Sequence, residues 1–253
     1  MRDGVIASER RSTPPPLRRD QALFLDFDGT LVEIAPLPHL VLVPAELPDL
    51  LDEVADRLGG AVAVVSGRPL GELARMLAPF AGTIAGQHGL ERRRADGTVI
   101  RHGAHPELDR LRPLVAGFAA RHEGVLFEDK GVGLALHYRQ APSLGARCRA
   151  LVGQAAMASN GALAALVGKM VIELMPRAGG KGRAIADFLA EAPFTGRLPV
   201  FVGDDTTDED GFAVVNRLPG GVSVHVGGGA TIARHDLATV GDVLAWLARG
   251  LAG

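Results

Sequence analysis

Two aspartates spaced one residue apart, Asp26 and Asp28, leave the apolar run Leu23-Phe24-Leu25 and are followed by Gly29-Thr30. In an extended strand alternate residues share a face, so both carboxylates point one way while Phe27 turns into the core. Such a pair at the end of a buried strand is costly unless a metal ion or a phosphate-binding arrangement accompanies it. Gly29 lets the backbone turn sharply, and Thr30 offers a hydroxyl. The bland alternative is an Asx-type turn closing a hairpin; the apolar run before the motif favours a functional strand end.

Three further apolar segments end in polar groups: Ser66/Arg68, Gln87/His88 and Asp204/Asp205/Asp208. Lys181 follows Gly179-Gly180 at a predicted helix start, and a helix N-terminus together with a lysine favours phosphate. Several carboxylates with one serine and one lysine suit a hard cation and a phosphoryl group, and Mg2+ takes oxygen ligands of this kind. An aspartate can be the nucleophile of a covalent phosphoenzyme while a second carboxyl passes the proton to the leaving oxygen. Each residue also has a plainer reading. Ser66 alone reads as a helix N-cap, Arg68 as a partner for a surface carboxylate, and Lys181 as a solvated helix residue. Asp205 reads as a residue that orders its loop. Gln87, His88 and His137 divide between cleft groups and ordinary loop or surface positions. Glu128 and Lys130 share a strand face, as an ordinary surface ion pair would. Glu173, between Ile172 and Leu174, is better placed as a deliberate polar group. Gly227-Gly228-Gly229 is either a phosphate cradle or a loop, and Cys148 reads as packing.

The elements that must position these groups alternate short apolar strands with helical segments, the pattern of an α/β protein with a parallel sheet. Strands are predicted at Ala22–Leu25, Ala61–Val65, Thr83–Ala85, Leu198–Val202 and Val222–Val226, the last taken as the final strand. Helices are predicted at Glu46–Leu58, Leu70–Leu77, Lys181–Leu189, near Asp210, and at Val240–Leu251. Leu90–Arg101 reads as a hairpin turning at Asp96-Gly97. Ligands bind at the carboxyl ends of strands in an open parallel sheet, so the polar strand ends are expected to converge in one cleft. The stretch from about 103 to 176 differs: helix, two strands, helix, strand, a self-contained α+β pattern inserted between groups of the sheet.

With 253 residues the chain fits one large or two modest domains. A net charge of −2 offers no basic field for nucleic acid and no polybasic membrane patch. No apolar run approaches the ~20 residues of a membrane helix, and the single cysteine fits a reducing compartment. A cytoplasmic protein, expected to be a monomer, follows as the default. Residues 1–20, with two Arg-Arg pairs and a triple proline, read as a loose arm.

Taken in order, Asp26-Phe27-Asp28-Gly29-Thr30, Ser66-Gly67-Arg68, Lys181-Gly182 and Gly203-Asp204-Asp205-Thr206-Thr207-Asp208 resemble the four motifs of haloacid dehalogenase-like phosphatases. Gly86-Gln87-His88-Gly89, Glu128-Asp129-Lys130, Leu134 through Arg139, Ile172-Glu173-Leu174-Met175-Pro176 and Val202 through Asp210 narrow the resemblance to trehalose-6-phosphate phosphatases. It runs from about Gln21 to the C-terminus. The resemblance implies a Rossmann-like core, 21–103 and 177–253, with an α+β cap at 104–176. It implies Asp26 as nucleophile, Asp28 as general acid/base, and Ser66 and Lys181 gripping phosphate. Mg2+ is then expected on Asp26, the Asp28 carbonyl and Asp204, with Asp208 holding metal-bound water. Gly67, Arg68, Gln87, His88 and His137 join Glu128, Lys130 and Glu173 as expected substrate contacts. The activity implied is hydrolysis of trehalose 6-phosphate. The rivals are the same chemistry on sucrose phosphate, on mannosyl-3-phosphoglycerate or in a phosphomutase, and a catalytically silent sugar-phosphate sensor.

Overall fold

The computed structural model describes residues 11–251. Its strands are β1 (Gln21–Leu25), β2 (Val62–Val65), β3 (Thr83–Gly86), β4 (Glu91–Arg93), β5 (Val99–Arg101), β6 (Leu126–Asp129), β7 (Leu134–His137), β8 (Leu163–Gly168), β9 (Val171–Pro176), β10 (Leu198–Gly203), β11 (Val222–Val226) and β12 (His235–Leu237). The helices are α1 (Leu47–Arg57), α2 (Leu70–Met76), α3 (Pro106–Ala120), α4 (Gly145–Ala158), α5 (Lys181–Leu189), α6 (Glu209–Arg217) and α7 (Val240–Leu251). One sheet has the order β12-β11-β10-β1-β2-β3-β4-β5. It is parallel from β12 through β3 and antiparallel at β4 and β5.

The central strands are apolar on both faces because helices cover both. Leu23 and Leu25 of β1 pack with α1, α2 and α7 through Leu47, Leu51, Leu73 and Trp246. Ala22 and Phe24 face the opposite layer, where Ile185 and Phe188 of α5 and Phe212 of α6 lie. Phe24 stacks on Phe194 with ring centroids 5.4 Å apart. Burying a phenylalanine of this kind contributes about 2–3 kcal/mol. From β1 the sheet grows towards β2 on one side and towards β10 on the other. The strand order therefore reverses beside β1, and a crevice opens there at the carboxyl ends.

A second sheet, antiparallel in the order β6-β7-β9-β8, carries α3 and α4 on one face. Period-two alternation sorts its residues. Leu134 and Leu136 of β7 and Ile172 and Leu174 of β9 pack beneath these helices with Cys148. Glu128, His137, Val171 and Glu173 line the opposite face, which overhangs the crevice of the first sheet.

Three differences from the sequence reading have physical causes. The inserted region ends in two strands rather than one, because Leu163–Gly168 pairs with β9. Its alanine-rich sequence carries a weak strand signal. The turn between them places Met170 at φ +66°, where glycine or asparagine would have announced it. A further strand, β12, follows Val222–Val226 and pairs with it. Finally, the expected loose arm falls partly outside the described residues; from Arg11 onward the chain packs against the large sheet. Ser12 bridges to His235, Trp246 Nε1 donates to the Pro15 carbonyl at 3.0 Å, and Leu17 joins the core.

Candidate active site

Asp26 is the first residue beyond β1, and its N–H continues the ladder to the Val202 carbonyl at 2.9 Å. Asp204 follows β10 on the adjacent strand. Between them runs the Asp28-Gly29 turn. Gly29 has φ +83°, and a Cβ there would sit 2.2 Å from an Asp204 carboxylate oxygen, so both the conformation and the close approach demand glycine. Lys181, at the first turn of α5, is 3% exposed and bridges Asp26 Oδ1 at 2.6 Å and Asp208 Oδ1 at 2.7 Å. Gly182 lets α5 come this close: a Cβ there would meet the Asp210 carbonyl oxygen at 2.6 Å.

Burial is the largest influence on Asp26 and pushes its carboxyl well above the usual range. Lys181 pulls it down, and the charges of Asp208 and Asp204 push it up. Burial and Asp208 likewise raise Asp204. Burial works against the charge on Lys181, but Asp208 and Asp26 outweigh it and hold the ammonium above its ordinary value. Asp208 Oδ2 accepts from the backbone N–H groups of Asp204 and Asp205 at 3.0 and 2.9 Å, while its Oδ1 holds Lys181. Both Asp208 oxygens are thereby committed to fixing the loop and the lysine. Asp205 orders the same loop, accepting from the N–H of Thr206 at 2.7 Å.

Asp26, Asp204 and Asp208 each place a carboxylate oxygen within 4.8 Å of the others. Three carboxylates face one fully buried ammonium, Lys181, and one half-exposed ammonium, Lys169. The cluster therefore retains negative charge that a hard cation would neutralise. An all-oxygen donor set fits Mg2+ and does not suit metals that prefer thiolate or imidazole.

Around this floor the other expected residues separate. Ser66 lines the cleft, with its Oγ accepting from the Arg68 N–H at 3.2 Å. Arg68 clamps Asp28 through Nε and Nη2 at 2.7 and 2.8 Å, and also holds Glu72 and the Pro38 carbonyl. Its partner is thus a residue of the site rather than a distant surface carboxylate. His88 is buried at φ +54°, with neither ring nitrogen hydrogen-bonded and Nε2 3.4 Å from Glu173 Oε1. Gln87 does not line the cleft; its side chain donates to the Lys130 carbonyl at 2.9 Å and so supports Lys130 from below. Lys130 Nζ reaches Glu173 Oε1 at 2.7 Å and the Gly67 carbonyl at 3.1 Å. Burial pushes Glu173 up, but Lys130 and then His88 outweigh it, leaving its carboxyl far below the usual range. His137 faces the cleft and bonds Glu128 Oε2 through Nε2 at 2.7 Å. Gly227-Gly228-Gly229 lies beyond β11 and does not line this cleft.

The sequence reading missed Lys169, in the β8–β9 turn, whose Nζ donates to Asp204 Oδ2 at 3.0 Å. It also missed an apolar wall formed by Ile34, Pro36 and Leu37. The only signal for Lys169 was the Gly168-Lys169 break between two apolar runs.

A parallel sheet with carboxylates at its switch point and a second α/β unit above is the architecture of haloacid dehalogenase-like hydrolases. A solved haloacid dehalogenase-like hydrolase from Bacteroides thetaiotaomicron shares the fold, with a TM-score of 0.62 at 14% identity over 90% of this chain and 98% of that one. Beyond the fold, the chain belongs to the trehalose-phosphatase family, whose sequence profile matches residues 24–238. The trehalose-6-phosphate phosphatase of Escherichia coli K12 is 43% identical over 248 residues, covering 95% of this chain and 90% of that protein. A probable trehalose-phosphate phosphatase of Sinorhizobium fredii is 43% identical over 206 residues, 81% of this chain and 77% of its own. The solved C-terminal domain of the Candida albicans trehalose-6-phosphate phosphatase superposes with a TM-score of 0.83 at 20% identity, over 97% and 99% of the two chains. Among the described residues, no helix is long and apolar enough to cross a membrane.

Proposed function

We propose that this protein is a Mg2+-dependent phosphatase that hydrolyses trehalose 6-phosphate to trehalose and phosphate, acting as a cytoplasmic monomer. The observation that carries the reading is the buried Lys181 bridging Asp26 and Asp208 beside Asp204. A pure binding protein gains nothing from a nucleophile held next to an acid, which argues against a silent sensor. Among phosphosugars, trehalose 6-phosphate is favoured because the family match extends through the sugar-facing unit.

In this mechanism an Asp26 oxygen attacks phosphorus and the P–O bond to the sugar breaks, leaving an aspartyl phosphate. Asp28 gives its proton to the departing sugar oxygen. It then takes a proton from the water that attacks the aspartyl phosphate and releases inorganic phosphate. Both Asp28 oxygens accept from Arg68, a group with donors only, so at least one of these bonds opens for Asp28 to carry the proton. Ser66 and Lys181 hold the phosphoryl oxygens, and Lys181 supplies positive charge without solvent reorganisation. Mg2+, held by Asp26 and Asp204 with Asp208 behind them, would neutralise charge on the transferring group.

Residues 104–176 we take as a cap that excludes water and reads the sugar. Glu128, Lys130, His137 and Glu173 from the cap, with His88, Gly67 and Arg68 below, offer donors and acceptors to hydroxyls. Such a site can discriminate strongly, because the wrong sugar leaves buried groups unpaired. The test is a phosphate-release screen over trehalose 6-phosphate, sucrose 6-phosphate and glucose 6-phosphate with Mg2+ or with EDTA. Preference for trehalose 6-phosphate that vanishes in EDTA is expected. Absence of turnover with any sugar phosphate in Mg2+ refutes the enzyme reading.

A further inference from the structure

The β8–β9 turn touches the large sheet at the loop that carries Asp204. Lys169 Nζ donates to Asp204 Oδ2 at 3.0 Å, the Lys169 N–H donates to Asp205 Oδ2 at 2.8 Å, and Thr206 Oγ1 donates to the Val167 carbonyl at 2.7 Å. The Asp204 side chain is 3% exposed while that of Lys169 is 54% exposed, so a lysine on the surface reaches down to a buried carboxylate. Lys181 spends its donors on Asp26 and Asp208, not on Asp204. Among the described residues, the one cationic side chain hydrogen-bonded to Asp204 therefore comes from the opposite unit.

We propose that Lys169 and the divalent cation compete for Asp204, so that Lys169 is a positioning residue linking metal loading to the cap hairpin's grip on the metal loop. The proposal rests on the metal reading given above. Before metal enters, the ammonium partly neutralises Asp204 and ties the turn down. A cation on Asp204 repels the ammonium and loosens the hairpin, leaving the two neutral-donor contacts to hold it. By reciprocity, whatever the cation does to the grip of Lys169, Lys169 does to the affinity of the cation. The coupling is modest because the lysine is half exposed.

The experiment uses the full chain without substrate, and Mg2+ itself as the probe. Calorimetric titration should show Lys169→Met binding Mg2+ about fivefold more tightly than wild type, with Lys169→Arg close to wild type. Hydrogen exchange on the wild type, which needs no variant, should show faster exchange at the Lys169 amide and along residues 163–176 when Mg2+ is added. Equal Mg2+ affinity in wild type and Lys169→Met, or an exchange pattern indifferent to Mg2+, overturns the competition while leaving the metal reading standing. No Mg2+ binding by any form sinks both together.

Discussion

Replacing Glu173 by glutamine keeps the side chain's shape and removes its charge, which isolates what the Lys130–Glu173 ion pair does. Glu173 and Lys130 meet at 2.7 Å with side chains only 10% and 7% exposed. Hydrogen bonds to charged groups in such surroundings are worth about 1.5–3 kcal/mol. Lys130 keeps the Gly67 carbonyl, and the amide oxygen still accepts, so the loss should be about 2 kcal/mol rather than the full cost of a broken buried pair. Expressed on the sugar substrate, that is about a thirtyfold fall in kcat/KM. The comparison substrate is para-nitrophenyl phosphate, which reaches the phosphate end but has no hydroxyls to be read. Its kcat/KM should change less than about threefold, within the scatter of single-contact effects. Equal losses on both substrates would mean that Glu173 supports the whole cleft and reads no sugar. The pH dependence supplies a second check. Because Lys130 and His88 hold the Glu173 pKa below its unfolded value, the pair stabilises the fold above the ordinary glutamate range, about 4.3. That contribution is lost as pH falls through the lowered folded value. Wild type and Glu173→Gln should therefore differ in unfolding free energy at neutral pH and converge in strong acid.

Three further outcomes follow from the carboxylate cluster. Asp26→Asn should abolish phosphate release while leaving the melting temperature unchanged or higher, since burial and two neighbouring carboxylates already disfavour its charge; wild-type turnover would remove it as nucleophile. Mg2+ at ten times its dissociation constant should stabilise the protein by about 1.4 kcal/mol, seen as a melting shift of a few degrees that EDTA reverses; an unchanged melt speaks against the metal site. Gly29→Ala forces a side chain into φ +83° and against Asp204, so it should cost at least about 1 kcal/mol and erase the Mg2+ shift; a retained shift would show that the turn does not position Asp204.

The parallel sheet and its acidic strand ends were legible because strands such as Leu23-Phe24-Leu25 are buried on both faces and read as unbroken apolar runs. Helices with one buried face, such as α1 and α5, were legible instead from the 3.6-residue spacing of a single apolar stripe. The losses came where tertiary structure overrode local signals. β8 forms because β9 offers it an edge, not because Ala164-Ala165 favour a strand. Leu17 and Pro15 look like part of a polar arm until Trp246 and Gly250 give them a surface to cover. Whether His137 faced the cleft or solvent could not be decided from alternation alone, since both outcomes preserve the period. It is decided by Leu134 and Leu136, which take the helix side. Gln87 shows the reverse case: its motif placed it at the cleft, but a φ of +48° turns it to support Lys130 instead.

Lys130 and Lys169, both in the proposed cap, make contacts that bear on how that unit is seated over the carboxylate cluster. Lys130 reaches the Gly67 carbonyl, next to Ser66, and Lys169 reaches Asp204. Each therefore meets a different loop of the large sheet, one after β2 and one after β10, on either side of the strand that ends at Asp26. If residues 104–176 act as the proposed cap, the two separated contacts would fix its height and tilt over Asp26 before metal loads. Once a cation releases Lys169, the Lys130–Gly67 contact and the two neutral-donor contacts of the β8–β9 turn would remain to do so. On the proposed function, sugar recognition would then act on rate as well as affinity. A hydroxyl that perturbs the Lys130–Glu173 pair also perturbs the contact at Gly67, and with it the wall beside Ser66. Binding energy gained far from phosphorus is in this way available to set the geometry at phosphorus.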